Sequence, residues 1–313
     1  MRSPTSRLAA AACALALVSC KYVVFPDEEE DGSARAKKGW SAEAVKVERT
    51  AAGDLRVELA IRNDTGDWSA MKALPKPARL VTKDGATPCE TVTVSSGFVS
   101  AGGHRLAPGF RMRGFVGGLK MEQKIQPIAV ECKGAQAARG AKLLVDYVYY
   151  WGQFNYYQQT RNETAGTLEV NLDEVKSDLE YPAAQARPDK TFVNADAPLT
   201  GMNGVVVTLA SVTRDDEGVV MNWKTSNPGE YPSYVHLGVT PLIGSDGILY
   251  GFYEVPDLVS VPITPGKGTA QWSTKVAVPK DVKDLHIMLS VETGKKGLFQ
   301  NYAVDLSGKL PRG

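Results

Sequence analysis

Three histidines, two internal cysteines and two acidic turns are the residues of this chain whose types could do chemistry. His104, His236 and His286 share no spacing with one another or with the cysteines that a zinc site would need. Each is expected as a turn or surface side chain, with His286 on the outward face of a strand. Asn63-Asp64-Thr65-Gly66-Asp67 and Asp215-Asp216-Glu217-Gly218 put oxygen ligands into tight loops, but neither has calcium-loop length or spacing. Backbone turn geometry is the expected reason for both. The chain has no Gly-x-Ser-x-Gly elbow, no His-Glu-x-x-His pair and no phosphate-cradling glycine loop. The expectation is therefore a protein without catalytic residues, metal or cofactor, and not an enzyme.

The densest chemical feature is aromatic. Tyr147, Tyr149, Tyr150, Trp151, Phe154, Tyr156 and Tyr157 crowd into one short segment. Aromatic faces stack on sugar rings and on protein partners. Alternation along a strand would place Tyr147, Tyr149 and Trp151 on one face and Tyr150 on the other. Tyr149, Tyr150, Trp151, Phe154, Tyr156 and Tyr157 are accordingly the candidate ligand-binding residues, for a glycan or an envelope protein partner.

The N-terminus says where such a surface would work. Arg2 and Arg7 precede the apolar run Leu8 to Val18, about 11 residues, too short to span a bilayer at the ~20 residues required. Leu17-Val18-Ser19-Cys20 resembles the lipobox of bacterial lipoproteins. That resemblance implies a signal peptide over 1–19, acylation of Cys20 and a membrane partner reached through the N-terminal lipid. Two or more acyl chains suffice for stable anchoring. In enterobacterial lipoproteins an aspartate after the cysteine retains the protein in the inner membrane. Lys21 stands there, which points to the outer membrane, with the periplasmic or surface face left open.

Taking the 19 residues before Cys20 from the 313-residue chain leaves 294, enough for two ordinary domains. The cut removes two of 36 basic side chains, leaving 34 against 35 acidic ones. Such a balance argues against nucleic acid as a partner, because phosphate binding needs a concentrated basic surface. An exported chain folds in an oxidising compartment, so a Cys89–Cys132 disulfide is expected. Closing a loop of about 43 residues would contribute on the order of 4 kcal/mol.

The elements that must position these residues are strands. Residues 20–39, with the acidic run Asp27 to Asp31, read as an acylated N-terminus and disordered tether. From Trp40 the pattern alternates with period two, as in Leu55, Val57, Leu59 and Ile61 against Arg56, Glu58 and Arg62. Asp84-Gly85, Pro108-Gly109, Asp246-Gly247 and Pro265-Gly266 mark turns. These signals repeat. Arg49 and Gly53 align with Arg214 and Gly218, Leu55 to Asn63 with Val219 to Asn227, and Asp84-Gly85 with Asp246-Gly247. Further along, Phe115 aligns with Trp272, and Ile128, Val130 and Cys132 with Ile287, Leu289 and Val291. A duplicated all-β unit is expected, as a first β-sandwich over 40–170, a linker over 171–201 and a second β-sandwich over 202–313. The strand-rich copies behind a lipobox resemble the immunoglobulin-like domains of unknown function in secreted bacterial lipoproteins. The resemblance implies two tandem immunoglobulin-like folds and a non-catalytic binding or assembly role at the envelope. A glycan-binding module or an accessory subunit of an envelope enzyme are the alternatives.

Overall fold

The computed structural model describes residues 39–66, 68–74, 78–92, 106–117, 124–136, 139–151, 162–175, 192–196, 198–200, 205–228, 233–236, 242–250, 260–263, 268–293 and 298–310. Among them every regular element is a strand, so the expected all-β class holds.

The first half builds β1 (Trp40–Arg49), β2 (Leu55–Asn63), β3 (Ala70–Ala73), β4 (Ala78–Thr82) and β5 (Gly85–Thr91). There follow β6 (Arg111–Met112), β7 (Gly114–Gly117), β8 (Lys124–Pro127), β9 (Ala129–Cys132), β10 (Lys142–Trp151) and β11 (Asn162–Asn171). One sheet runs β1-β2-β9-β5-β4-β10-β11, with β3 on β10 and β6 on β2. β5 pairs with β4 from Gly85 to Cys89 and with β9 at Glu90 and Thr91. The sheet therefore folds over at β5, and Leu55, Val57, Leu59 and Ile61 of β2 share a core with Leu143, Val145, Tyr147 and Tyr149 of β10. Alternation drives this: the inward residues are apolar and buried, while Arg56, Glu58, Leu144, Asp146 and Val148 between them are only partly buried.

The disulfide is present. Cys89 and Cys132 are bonded with Cα atoms 4.2 Å apart, joining β5 to β9 where the fold-over occurs. Cys132 is also paired with Leu55 of β2, so the bond ties the fold-over to the centre of the sheet.

The second half contributes β12 (Phe192–Asn194), β13 (Leu199–Thr200), β14 (Val206–Asp215), β15 (Gly218–Asn227), β16 (Ser233–His236) and β17 (Leu242–Gly244). After these come β18 (Ile248–Tyr250), β19 (Ser260–Ile263), β20 (Gly268–Val276), β21 (Leu285–Thr293) and β22 (Leu298–Asp305). A four-stranded sheet, β13-β14-β15-β20, packs on β17, β18, β21 and β22 around Trp223, Tyr250, Ile287 and Val304. Trp223 stacks on Trp272 with ring centroids 5.1 Å apart. The segment 171–201, expected as linker, supplies β12 to one sheet and β13 to the other. Strands of two and three residues are too short to show a period in sequence.

The halves repeat one topology. β1-β2-β9 corresponds to β14-β15-β20, and β4-β10-β11 to β17-β21-β22. β3 lies on β10 as β16 lies on β21. A β-bulge falls between Ala44 and Lys46 in β1 and between Leu209 and Ser211 in β14, 165 positions apart in both cases. The late sequence alignment needs correction. β9, holding Val130 and Cys132, pairs with β2 as β20 pairs with β15, so its counterpart is β20 rather than the segment from Ile287 to Val291. That segment lies in β21, the counterpart of β10. Alternating apolar strands resemble one another closely enough for alignment to slip by a whole strand.

The halves are also joined. β7 pairs in parallel with β18, and β8 extends the sheet beyond β7, giving the order β12-β22-β21-β17-β18-β7-β8. One face of this sheet fills the second core. Its other face sends Ile243, Leu249, Met288 and Ala303 into the first core beside Phe110 and Phe115.

Candidate functional site

Where β1, β2, β8 and β18 meet, a half-open groove of about 310 Å³ is lined by Val45, Glu58, Arg113, Ile125, Pro127 and Ile248. Each residue reaches it for a local reason. Val45 is the extra residue of the β1 bulge, so the strand's alternation is broken and its side chain turns outward. Glu58 follows Val57 and precedes Leu59, both fully buried, and therefore faces out. Ile125 and Pro127 share one face of β8. Ile248 opens β18 directly after the Asp246-Gly247 turn.

Arg113 fastens this wall. Its backbone N–H donates to the Gly247 carbonyl at 2.9 Å, and its carbonyl accepts from the Ile128 N–H at 3.1 Å. Its Nε donates to the Asp246 carbonyl. The turn it holds is itself capped: Asp246 accepts from the Ile248 N–H at 3.0 Å and from the Tyr250 hydroxyl at 2.7 Å. Burial, with the Asp246 carboxylate adding to it, pushes the Tyr250 phenol well above its ordinary value. Gly114 must be glycine, because a Cβ there would lie 2.8 Å from the Gln126 carbonyl and 3.2 Å from Ile248 Cδ1.

The bank beside Glu58 is charged. Arg56 lies 2.8 Å from Glu131, 3.7 Å from Glu58 and 4.0 Å from Glu48, and Lys46 lies 2.6 Å from Glu48. With Arg113, which lines the same groove, three carboxylates face three cations and the formal charge balances. These pairs are screened by solvent and add little to stability. The groove thus offers apolar contacts on its floor and one wall, with charges of both signs in balance at its rim.

Of the aromatic residues singled out in the sequence, Tyr147 and Tyr149 are described with their side chains, and both lie in the core. Tyr149 is 1% exposed and Tyr147 3%, with ring centroids 6.0 Å apart. Tyr149 is therefore a core residue and not a ligand contact, because strand alternation aims it into the sandwich with Leu143 and Val145. Tyr150 and Trp151 end β10, their backbones opposite Glu163 and Asn162. Their side chains lie outside the described residues, as do Phe154, Tyr156, Tyr157 and Cys20.

His286 needs correction too. It is 4% exposed, 5.3 Å edge-on from Phe110, and its Nε2 lies 3.4 Å from an Asp305 oxygen. The outward face of β21 is real, but the first half covers it. Burial holds the imidazole below the usual histidine value, while Asp305 and Asp284 pull it up. His104 lies outside the described residues, and of His236 only the backbone is described.

The acidic turns serve the backbone. Asn63 Oδ1 accepts from the N–H and hydroxyl of Thr65 at 3.0 and 2.7 Å, and its amide donates to the Leu106 carbonyl. Asp215 accepts from the N–H groups of Glu217 and Gly218 and from Lys275. Among the described residues no group of three or more His, Cys, Asp or Glu is placed to hold a metal.

The groove was not foreseen from sequence. Its one sequence signal is Ala44-Val45, two adjacent apolar residues that break the alternation of β1, as Leu209-Ala210 do in β14.

No protein-family model and no curated protein matches the chain. Among solved structures it is similar to the E. coli chaperone DraB, at 12% identity over 85% of this chain and 95% of that one, with a TM-score of 0.18. At that score the likeness carries no argument about fold or function.

Proposed function

We propose that this chain is a lipid-anchored protein of the bacterial cell envelope that holds a partner, without catalysis, in the groove between its two halves. In this reading Cys20 carries the lipid, Lys21 directs the protein to the outer membrane, and residues 20–39 tether two immunoglobulin-like sandwiches. The observation that carries the binding role is the seating of β7 and β8 on β18. It makes one body of two halves and leaves an open groove with Val45 and Ile248 at its base and Ile125, 52% exposed, at its lip. Large apolar side chains at the rim of a preformed groove fit recognition better than folding, since burying Ile125 inside would serve stability more. The repeated bulge and the repeated strand pairing support descent of both sandwiches from one duplicated unit.

Two measurements test this. Palmitate labelling in a bacterial host should mark the wild type and leave Cys20→Ala unlabelled and soluble. A photo-crosslinking amino acid placed at position 125 in cells should trap one discrete partner, while the same group at the exposed position 210 should not. A labelled Cys20→Ala removes the anchor from the reading, and equal trapping at both positions removes the groove.

A further inference from the structure

The tether that precedes β1 is not uniformly polar. Tyr22, Val23, Val24 and Phe25 form a run of consecutive apolar residues, and the acidic run Asp27 to Asp31 follows it. Resting on the binding role proposed above, we propose that this run of the chain's own tether is the resident occupant of the groove. Tyr22 to Phe25 seat against Val45, Ile125 and Ile248, and a partner gains the site by displacing them.

The reach is sufficient. Phe25 stands 14 residues before Gly39, a span of up to about 46–50 Å when extended. From Gly39 to Val45 the path along β1 is only about 20 Å at the rise of a strand. Gly39 takes a φ of 63°, so the backbone turns where the tether meets β1 instead of continuing the line of the strand. The groove's volume of about 310 Å³ is at the lower end for ligand sites, which suits a few side chains and not the face of a folded domain.

Charge does not choose the occupant. Glu48, Glu58 and Glu131 are balanced by Lys46, Arg56 and Arg113 around the groove. Apolar area therefore decides, and Ile125 at the lip is 52% exposed, surface that a docked side chain would cover. A covalent link of this length also raises the effective concentration of the run at the groove to the order of 1 mM. A contact too weak to hold a free peptide is then filled much of the time, so the chain's own segment precedes any partner. Docking also sets distance from the membrane. Phe25 is five residues from Cys20, so the docked groove lies within about 18 Å of the lipid, whereas release lets β1 stand up to about 70 Å away.

The test is photo-crosslinking in the full chain, purified in detergent, with the reactive amino acid at position 125. Peptide mapping should find the adduct on residues 22–25, at the mass of a single chain. Val23→Ser/Val24→Ser/Phe25→Ser lies ahead of β1, leaves the packed body intact and should lower that adduct at least tenfold. In cells the same triple variant should raise trapping of the partner at least threefold. An adduct on any other segment, between two copies, equally from position 210, or surviving the triple variant overturns the tether as occupant. So does partner trapping at position 125 that the triple variant leaves unchanged, and in that case the binding role stands. A tether adduct with no partner trapped by either chain keeps the docking and removes the binding role. Silence at position 125 toward both tether and partner removes both readings.

Discussion

Val45 and Ala210 are the extra residues of the same β-bulge in the two halves, yet Val45 is 9% exposed and Ala210 lies open to solvent. The difference is the β7–β8 hairpin. It covers the bulge of the first half and pairs with β18 of the second, so the repeat is symmetric in topology and asymmetric in use.

A charge at the two bulges should separate these environments. Val45→Asp places a carboxylate against Ile248 and Ile125 and should cost about 2–3 kcal/mol, whereas Ala210→Asp should stay within about 0.5 kcal/mol of the wild type. Urea unfolding of both variants measures this. Equal effects would mean that the hairpin does not shield Val45 in solution.

The disulfide holds the point where the first sheet folds over. The double variant Cys89→Ser with Cys132→Ser should lose about 2–5 kcal/mol. Unfolding of the wild type with and without a reductant should give a matching drop, and an unchanged midpoint would show the thiols unbonded.

His286 predicts a pH dependence with a definite sign. Burial holds its folded value below that of the unfolded chain, so the unfolded state takes up the proton first. Stability is full above the unfolded value of about 6.5 and falls as pH drops from there through the folded value. Asp305 and Asp284, which face the imidazole, reduce the loss but do not reverse it. His286→Gln should flatten this slope between pH 7.5 and 5, read by thermal unfolding, and an unchanged slope would assign it to other groups.

Tyr147 ties the start of β1 to β10. The Trp40 N–H donates to its hydroxyl at 2.8 Å, and a Cβ on Gly166 would lie 2.6 Å from its ring. Tyr147→Phe leaves that N–H without its acceptor, at about 1–3 kcal/mol. Gly166→Ala should cost a similar amount by forcing the ring aside, about 1–3 kcal/mol. Because both act on one ring, the combined variant should fall short of the sum, which a double-mutant cycle reads directly.

Much of this architecture was legible in the chain. Leu55 to Ile61 alternate because one side of β2 is core and the other solvent, and that contrast is written residue by residue. The bond between Cys89 and Cys132 followed from the compartment that the N-terminus implies. The turns at Asp84-Gly85 and Asp246-Gly247 announced the repeat through their residue types. Period two says which side chains share a face, and no more. It could place Tyr149 with Tyr147 but not show that their face is buried. It put His286 opposite Ile287 without revealing that the first half covers that side. The parallel pairing of Gly114 and Phe115 with Ile248 and Leu249 joins residues more than 130 positions apart. Local pattern fixes faces because burial acts on each side chain where it stands. Which face meets which is decided by the whole chain closing on itself, and the groove exists only at that level.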